Sequence, residues 1–196
     1  VSSLNLAWIA GIVEIVPVSG DEIKISETCE NPLDDGTALC WRVENGRLEI
    51  KYSARRDELP FKYLRIGLPE TIELEDVAVD MTTSSISAEG MTMEKLSVSS
   101  VSGNVIFRNC TVGTVTAETV SGEVQIGMRN ADAKLKINTV SGNVSLLVPE
   151  GTQPSVRFSS VSGHMVHSID CTVSENAAFS VDTVSGDLQI AAEKYE

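Results

Sequence analysis

The sequence predicts an all-β fold, a parallel β-solenoid, and three observations carry the prediction. A tripeptide, Val-Ser-Gly, recurs at Val101-Ser102-Gly103, Val120-Ser121-Gly122, Val140-Ser141-Gly142, Val161-Ser162-Gly163 and Val184-Ser185-Gly186, with an outlying copy at Val18-Ser19-Gly20. The C-terminal copies stand about 19 to 23 residues apart, a period that marks stacked repeat architectures. The flanks repeat with the tripeptide. Positions five and three before each valine are apolar (Leu96 and Val98, Leu135 and Ile137), and the one just before carries a hydroxyl (Ser100, Thr119, Thr139, Ser160, Thr183). Positions four and six after it are apolar again (Val105 and Phe107, Val144 and Leu146), except in the fourth copy, which has Met165 and then His167.

Alternation of this kind means strands with one buried face. The apolar phase is odd before the valine and even after it, so the Ser-Gly step must turn or bulge the chain to keep both sets on one side. Glycine adopts such backbone at low cost. One unit cannot bury its own face; stacked copies can, at about 4.8 Å per layer. Stacking makes Ser102, Ser121, Ser141, Ser162 and Ser185 one corner ladder and Gly103, Gly122, Gly142, Gly163 and Gly186 another. The competing reading takes each Ser-Gly as a two-residue hairpin turn and gives an antiparallel meander or sandwich.

Taken in order, residues 1–25 are expected to open the stack, with Val13 and Ile15 before an offset corner at Val18-Ser19-Gly20. Residues 26–40 break the pattern. Asn31-Pro32 and Asp34-Asp35-Gly36 are turn chemistry, without the alternating acids of a calcium loop, so an inserted loop is expected, clipped if Cys29 and Cys40 pair. Asn45-Gly46 reads as a disguised Ser-Gly corner between Leu39, Trp41 and Val43 before it and Leu48 and Ile50 after it. Arg55-Arg56-Asp57-Glu58 reads as a solvated corner, then Leu64, Ile66 and Leu68 alternate into Pro69, which ends a strand as Pro149 does. Ser84-Ser85-Ile86 reads as a worn Val-Ser-Gly behind Val79, Met81 and Thr83. Residues 96–191 hold the most regular coils, and Glu193-Lys194-Tyr195-Glu196 is a polar tail. The expectation is one domain over 1–196.

The 196 residues suffice to bury a core without metal or disulfide support. The formal charge of −13 disfavours nucleic acid and anionic membrane surfaces as partners. The chain begins at Val1 with no charged-then-apolar leader, as a trimmed N-terminus would, so any signal or membrane anchor is read as lying outside it. Cys110 and Cys171 follow the first and fourth regular copies. They are expected about three layers, roughly 14 Å, apart, too far for a disulfide. No C-x-x-C suggests zinc or redox chemistry.

The chemistry search predicts no catalytic, cofactor or metal residues. His164 and His167 are three apart on a strand and point to opposite faces, so they cannot share a metal. The repeated serines are explained by the corner, and no nucleophile elbow, P-loop or dinucleotide motif is present. The one repeated surface feature is the polar row Asn104, Glu123, Asn143, His164 and Asp187, an exposed stripe beside the corner and the candidate binding surface.

The phrases Thr119-Val120-Ser121-Gly122-Glu123-Val124-Gln125-Ile126 and Thr139-Val140-Ser141-Gly142-Asn143-Val144-Ser145-Leu146 resemble the bacterial putative-adhesin family of β-strand-repeat domains of unknown function. The resemblance covers roughly Leu96 to Ile190. It implies a single-stranded right-handed β-helix with coils of about 20 residues, in proteins often tied to the envelope by an N-terminal membrane segment, and carries no catalytic motif. The expected function is a non-catalytic, extracytoplasmic binding module for an envelope polysaccharide or protein. The alternatives are a scaffold for a protein partner and a carbohydrate-active enzyme.

Overall fold

The structure, a computed structural model, describes residues 1–56 and 58–194. Asp57 of the charged cluster and Tyr195-Glu196 of the polar tail lie outside the described residues. The described chain is all β, in one mixed sheet. The strands are β1 (Ser3–Val18), β2 (Lys24–Cys29), β3 (Cys40–Glu44), β4 (Arg47–Lys51), β5 (Lys62–Pro69), β6 (Glu73–Glu89), β7 (Thr92–Ser102) and β8 (Val105–Ser121). They continue as β9 (Val124–Met128), β10 (Lys134–Ser141), β11 (Val144–Pro149), β12 (Ser155–Ser162), β13 (Met165–His167), β14 (Thr172–Val173), β15 (Phe179–Ser185) and β16 (Leu188–Glu193). The architecture is β-solenoid-like. Pairing is parallel throughout, apart from β2 with β5 and β3 with β4.

Each strand sits where its apolar alternation puts it. Before the corner, one inner column runs Leu48, Leu4, Val77, Leu96, Val115, Leu135, Phe179, Val156. After the corner, another runs Leu64, Val13, Ile86, Val105, Val124, Val144, Leu188, Met165. All but Met165 are buried, and burying a side chain of this size is worth about 1.5–3 kcal/mol. Ser100, Thr119, Thr139, Thr183 and Ser160 form a third inner column. Their hydroxyl oxygens are buried within the stack.

The layers do not stack in chain order. The last copy, β15 and β16, lies between the third and fourth, pairing β10 and β11 on one side and β12 and β13 on the other. The first strand is likewise inserted, with β4 and β5 on one side and β6 on the other. The first and last strands, β1 and β16, are therefore interior layers. Cys110 and Cys171 are separated by four layer steps rather than the expected three. All four cysteines, Cys29 and Cys40 included, are free.

Three corner assignments are corrected. The corner of β1 is Gly11, level with Ser84, and not Ser19-Gly20, so Val13 and Ile15 follow the corner instead of preceding it. In β6, Met81 pairs with Ser100 and Thr83 with Ser102. The worn copy is thus Thr82-Thr83-Ser84, two residues earlier than expected. Val79 and Met81 are inner in both alignments, but the phase changes at the corner, so Thr83 is exposed instead of inner and Ile86 is a buried post-corner residue. Asn45-Gly46 is not a solenoid corner. It turns an antiparallel hairpin of β3 on β4 with both residues at positive φ, 51° and 77°, the signature of a two-residue hairpin turn. Leu48 and Ile50 are consequently pre-corner residues, and Trp41 and Val43 are exposed.

The glycine corner has a steric cause. A Cβ on Gly142 would lie 2.0 Å from the carbonyl oxygen of Gly122, one on Gly122 2.2 Å from that of Gly103, and one on Gly186 2.1 Å from that of Gly142. Gly103 and Gly122 also have φ near +120°, but Gly142 does not lie in that region, so close approach alone accounts for it. Gly142→Ala is expected to cost about 3 kcal/mol. Gly36→Ala, whose Cβ would meet nothing nearer than 3.5 Å, should change stability by less than about 0.5 kcal/mol. Urea denaturation of both variants checks this; matching midpoints would refute the packed corner.

Candidate functional site

The five stripe residues are brought together in one exposed row, in the order Asn104, Glu123, Asn143, Asp187, His164. The last two are exchanged relative to the sequence by the inserted final copy. The row is a hydrogen-bonded ladder. The Asn104 N–H donates to Ser85 Oγ (3.0 Å), the Glu123 N–H to Asn104 Oδ1 (3.0 Å), the Asp187 N–H to Asn143 Oδ1 (3.0 Å) and the His164 N–H to Asp187 Oδ1 (2.9 Å). The side-chain oxygens thus satisfy backbone donors where the corner interrupts regular pairing. The side-chain groups outside the ladder are the Asn104 and Asn143 amide nitrogens, the Glu123 carboxylate, Asp187 Oδ2 and the His164 ring.

Beside the stripe stands an apolar ridge. The tripeptide valines point outward, with Val101, Val120, Val140 and Val184 between 49 and 52% exposed. Ile9, also exposed, continues the row toward the N-terminal end. At each of the five regular copies one exposed valine and one exposed polar residue recur, about 4.8 Å from layer to layer, and in β6 the ridge position is taken by Thr82.

The histidines make no centre. His164 is exposed in the stripe, 3.8 Å from Asp187. His167 takes the inner phase of the last layer, and its Nδ1 lies 2.8 Å from the Ile169 carbonyl oxygen. Among the described residues no cluster of three His, Cys, Asp or Glu side chains could hold a metal ion. The Cys110 thiol donates to the Arg108 carbonyl at 3.2 Å, and burial pushes its pKa up to about 11.

Sequence reasoning missed a buried ion pair beneath the 26–40 segment. This segment begins as β2, which pairs antiparallel with β5, so it is part strand and not wholly loop. Lys62 is fully buried. Its ammonium donates to Glu27 Oε1 (2.8 Å), to the Ser53 carbonyl (2.7 Å) and to the Thr37 carbonyl, and lies 4.6 Å from the centre of the Tyr52 ring. Glu27 Oε2 accepts from the Leu39 N–H at 2.8 Å. Above, Asp34 pairs with Arg55. Asp34 is held below the usual carboxylate range by hydrogen bonds from the Thr37 hydroxyl and the Gly36 N–H, with Arg55 adding to them. The signal was in the phase. Lys62 precedes Leu64, Ile66 and Leu68 on the inner face, and Glu27 follows Ile23 and Ile25 on theirs.

Beside this latch, the N-terminal end of the core opens into a groove of about 650 Å³. Ile23, Ile25, Trp41, Val43, Leu48 and Ile72 are among its lining residues. Trp41 is 63% exposed.

A model of the Toastrack DUF4097 family matches residues 66–191. Among solved structures, a putative cell adhesion protein from Clostridium sporogenes ATCC 15579 is similar over 97% of this chain and 92% of that one, at 13% identity and a TM-score of 0.60. A putative lipid binding protein from Parabacteroides distasonis ATCC 8503 aligns over 100% and 92%, at 15% identity and a TM-score of 0.47. No curated protein matches the chain. At 13% identity the first likeness is one of fold.

Removing one partner of a buried ion pair strands the other charge. Lys62→Ala is therefore expected to cost about 3–5 kcal/mol and to open the 30–39 segment to limited proteolysis, whereas Arg55→Ala should leave cleavage unchanged. At pH 8 Cys110 should resist a thiol reagent that modifies Cys40. Its raised pKa implies folded stability that falls as pH climbs from about 9 toward 11, where the unfolded thiol ionises and the folded one does not. A pH series of melting temperatures for the parent and Cys110→Ser checks the sign.

Proposed function

Because the chain belongs to the Toastrack DUF4097 family, we propose that it is a single-domain, right-handed single-stranded β-helix with coils of about 20 residues. In this reading it acts as a non-catalytic binding module at the bacterial envelope or surface. The observation that supports this is the repetition of an exposed valine and an exposed polar residue at the five regular copies. Its ligand is an extended polymer with apolar and hydrogen-bonding groups along its length, an envelope polysaccharide being the chemical class that fits. Sugar rings offer apolar C–H faces to the valines and hydroxyls to Asn104, Glu123, Asn143 and His164. A regular array suits a repeating ligand, since weak contacts at successive layers add along one chain.

A second reading, a scaffold that binds a protein partner, is favoured by the apolar groove around Trp41 and Val43 at the N-terminal end. The two readings use opposite regions and separate by mutation.

The test is binding of the purified domain to a panel of envelope polysaccharides, with release of reducing ends assayed in parallel. Glu123→Ala combined with His164→Ala removes ligand-facing groups without touching the oxygens that hold the ladder. It should weaken binding at least about tenfold, or about 1.4 kcal/mol, at an unchanged melting temperature. Binding insensitive to this pair but lost in Trp41→Ala would move the function to the groove. Release of reducing ends would make the protein an enzyme.

A further inference from the structure

The two ends of the stack are unlike. The N-terminal end finishes in β2 and β3, edge strands that pair antiparallel with β5 and β4. Between Asp21 and Glu44 this segment carries seven carboxylates against two basic side chains. At the C-terminal end, β13 pairs only with β16. The outer side of β12 is met by β14 at Ser155 and Val156 alone. From Arg157 to Ser162 and from Met165 to His167 the sheet therefore ends in an open edge among the described residues. From Phe158 to Ile169 the sequence has no Asp, Glu, Lys, Arg or Pro, the residues that normally blunt an edge. The edge is also apolar. Val161 is 84% exposed and Val166 60%, while Phe158 and Met165 are only partly buried and pack against the core.

We propose that this edge is a self-association surface, on which a second copy of the chain pairs edge to edge about a two-fold axis. Charge selects the place. Two chains of formal charge −13 repel over most approaches, and this edge lets backbones meet without juxtaposing carboxylates. Register selects the geometry. Inner residues are Phe158 and Ser160 before the corner and Met165 and His167 after it. An antiparallel register with the axis at the Ser162–Gly163 step sets Ser160 against the partner subunit's Met165 and Phe158 against the partner subunit's His167. Inner face then meets inner face, and a one-residue slip would turn every core residue outward. Because the pairing is isologous, each copy spends this edge on its partner and association closes at a dimer instead of growing into a filament, while the acidic 21–44 segment disfavours addition at the other end.

The test is the molar mass of the full chain by light scattering between about 1 and about 100 µM, where interfaces of micromolar strength report. The parent should double in mass. Val161→Asp should weaken association at least about tenfold. Val120→Asp, the same change in mid-ridge, should dimerise like the parent. A parent monomeric throughout, a Val161→Asp variant that dimerises like the parent, or equal loss in both variants would each overturn the proposal. Should Val161→Asp fail to fold, amide hydrogen exchange of the parent at low and high concentration decides. Concentration-dependent protection confined to 158–167 supports the edge, and protection elsewhere, or none, overturns it.

Discussion

The contact on which the rest of the structure depends is the approach of each corner glycine to the backbone carbonyl one layer away, that of Ser84 for Gly103 and of another glycine for the rest. A Cβ on any of them would lie only 2.0–2.2 Å from that oxygen. That contact fixes the layer spacing at the sharpest point of the coil. Once it is fixed, the strands on both sides fall into register, and the inner columns stack like on like. Gly11 makes the same approach to the Lys62 carbonyl, outside any Val-Ser-Gly tripeptide, so the constraint runs from the first strand to the last. The corner also consumes side chains. Asn104, Asn143 and Asp187 complete backbone hydrogen bonds there, so the residues nearest a ligand also serve as structural caps.

A stack of layers has two vulnerable ends, and this chain treats them differently. At the N-terminal end β2 and β3 add antiparallel edge strands beside an apolar groove, and the Glu27–Lys62 pair ties the segment between them down. Replacing such a pair by apolar residues is often neutral or stabilising. What a buried ammonium with three oxygen partners provides is a single geometry for the segment that carries it. At the other end, Phe158 and Met165 are left half covered. The first and last strands, β1 and β16, meanwhile, are interior layers, each hydrogen-bonded on two sides. This arrangement builds the first and last coils from sequence-distant pairs such as Ser3 with Asp76 and Leu135 with Phe179, and such contacts slow folding.

The ridge and stripe follow from the same stacking. Because each regular copy repeats one outward valine and one outward polar residue, the surface has the periodicity of the fold and not of any particular ligand. Chemical distinction along it comes from single positions: Glu123 contributes a carboxylate, His164 a ring, Asn104 and Asn143 amides. The groove beside Trp41 has the opposite character, an irregular apolar recess made where the core runs out.

Over the regular copies the sequence by itself determined most strands, their inner faces and the glycine corner, because period-two alternation and a repeated tripeptide are local properties. Even the buried Lys62 and Glu27 were legible as charges at inner phases. Only the tertiary structure decided which layer lies beside which. Thr82-Thr83-Ser84 and Ser84-Ser85-Ile86 both leave Val79, Met81 and Ala88 inner, and they differ only in residues beside the corner such as Thr83 and Ile86. Near-identical repeats likewise offer interchangeable edges, so nothing local could place the last copy between the third and fourth or the first strand inside the stack. The choice between hairpin and corner at Asn45-Gly46 was of the same kind. Its turn chemistry serves either, and it was settled by which strand β4 meets on its other side, where Leu48 packs beside Leu4.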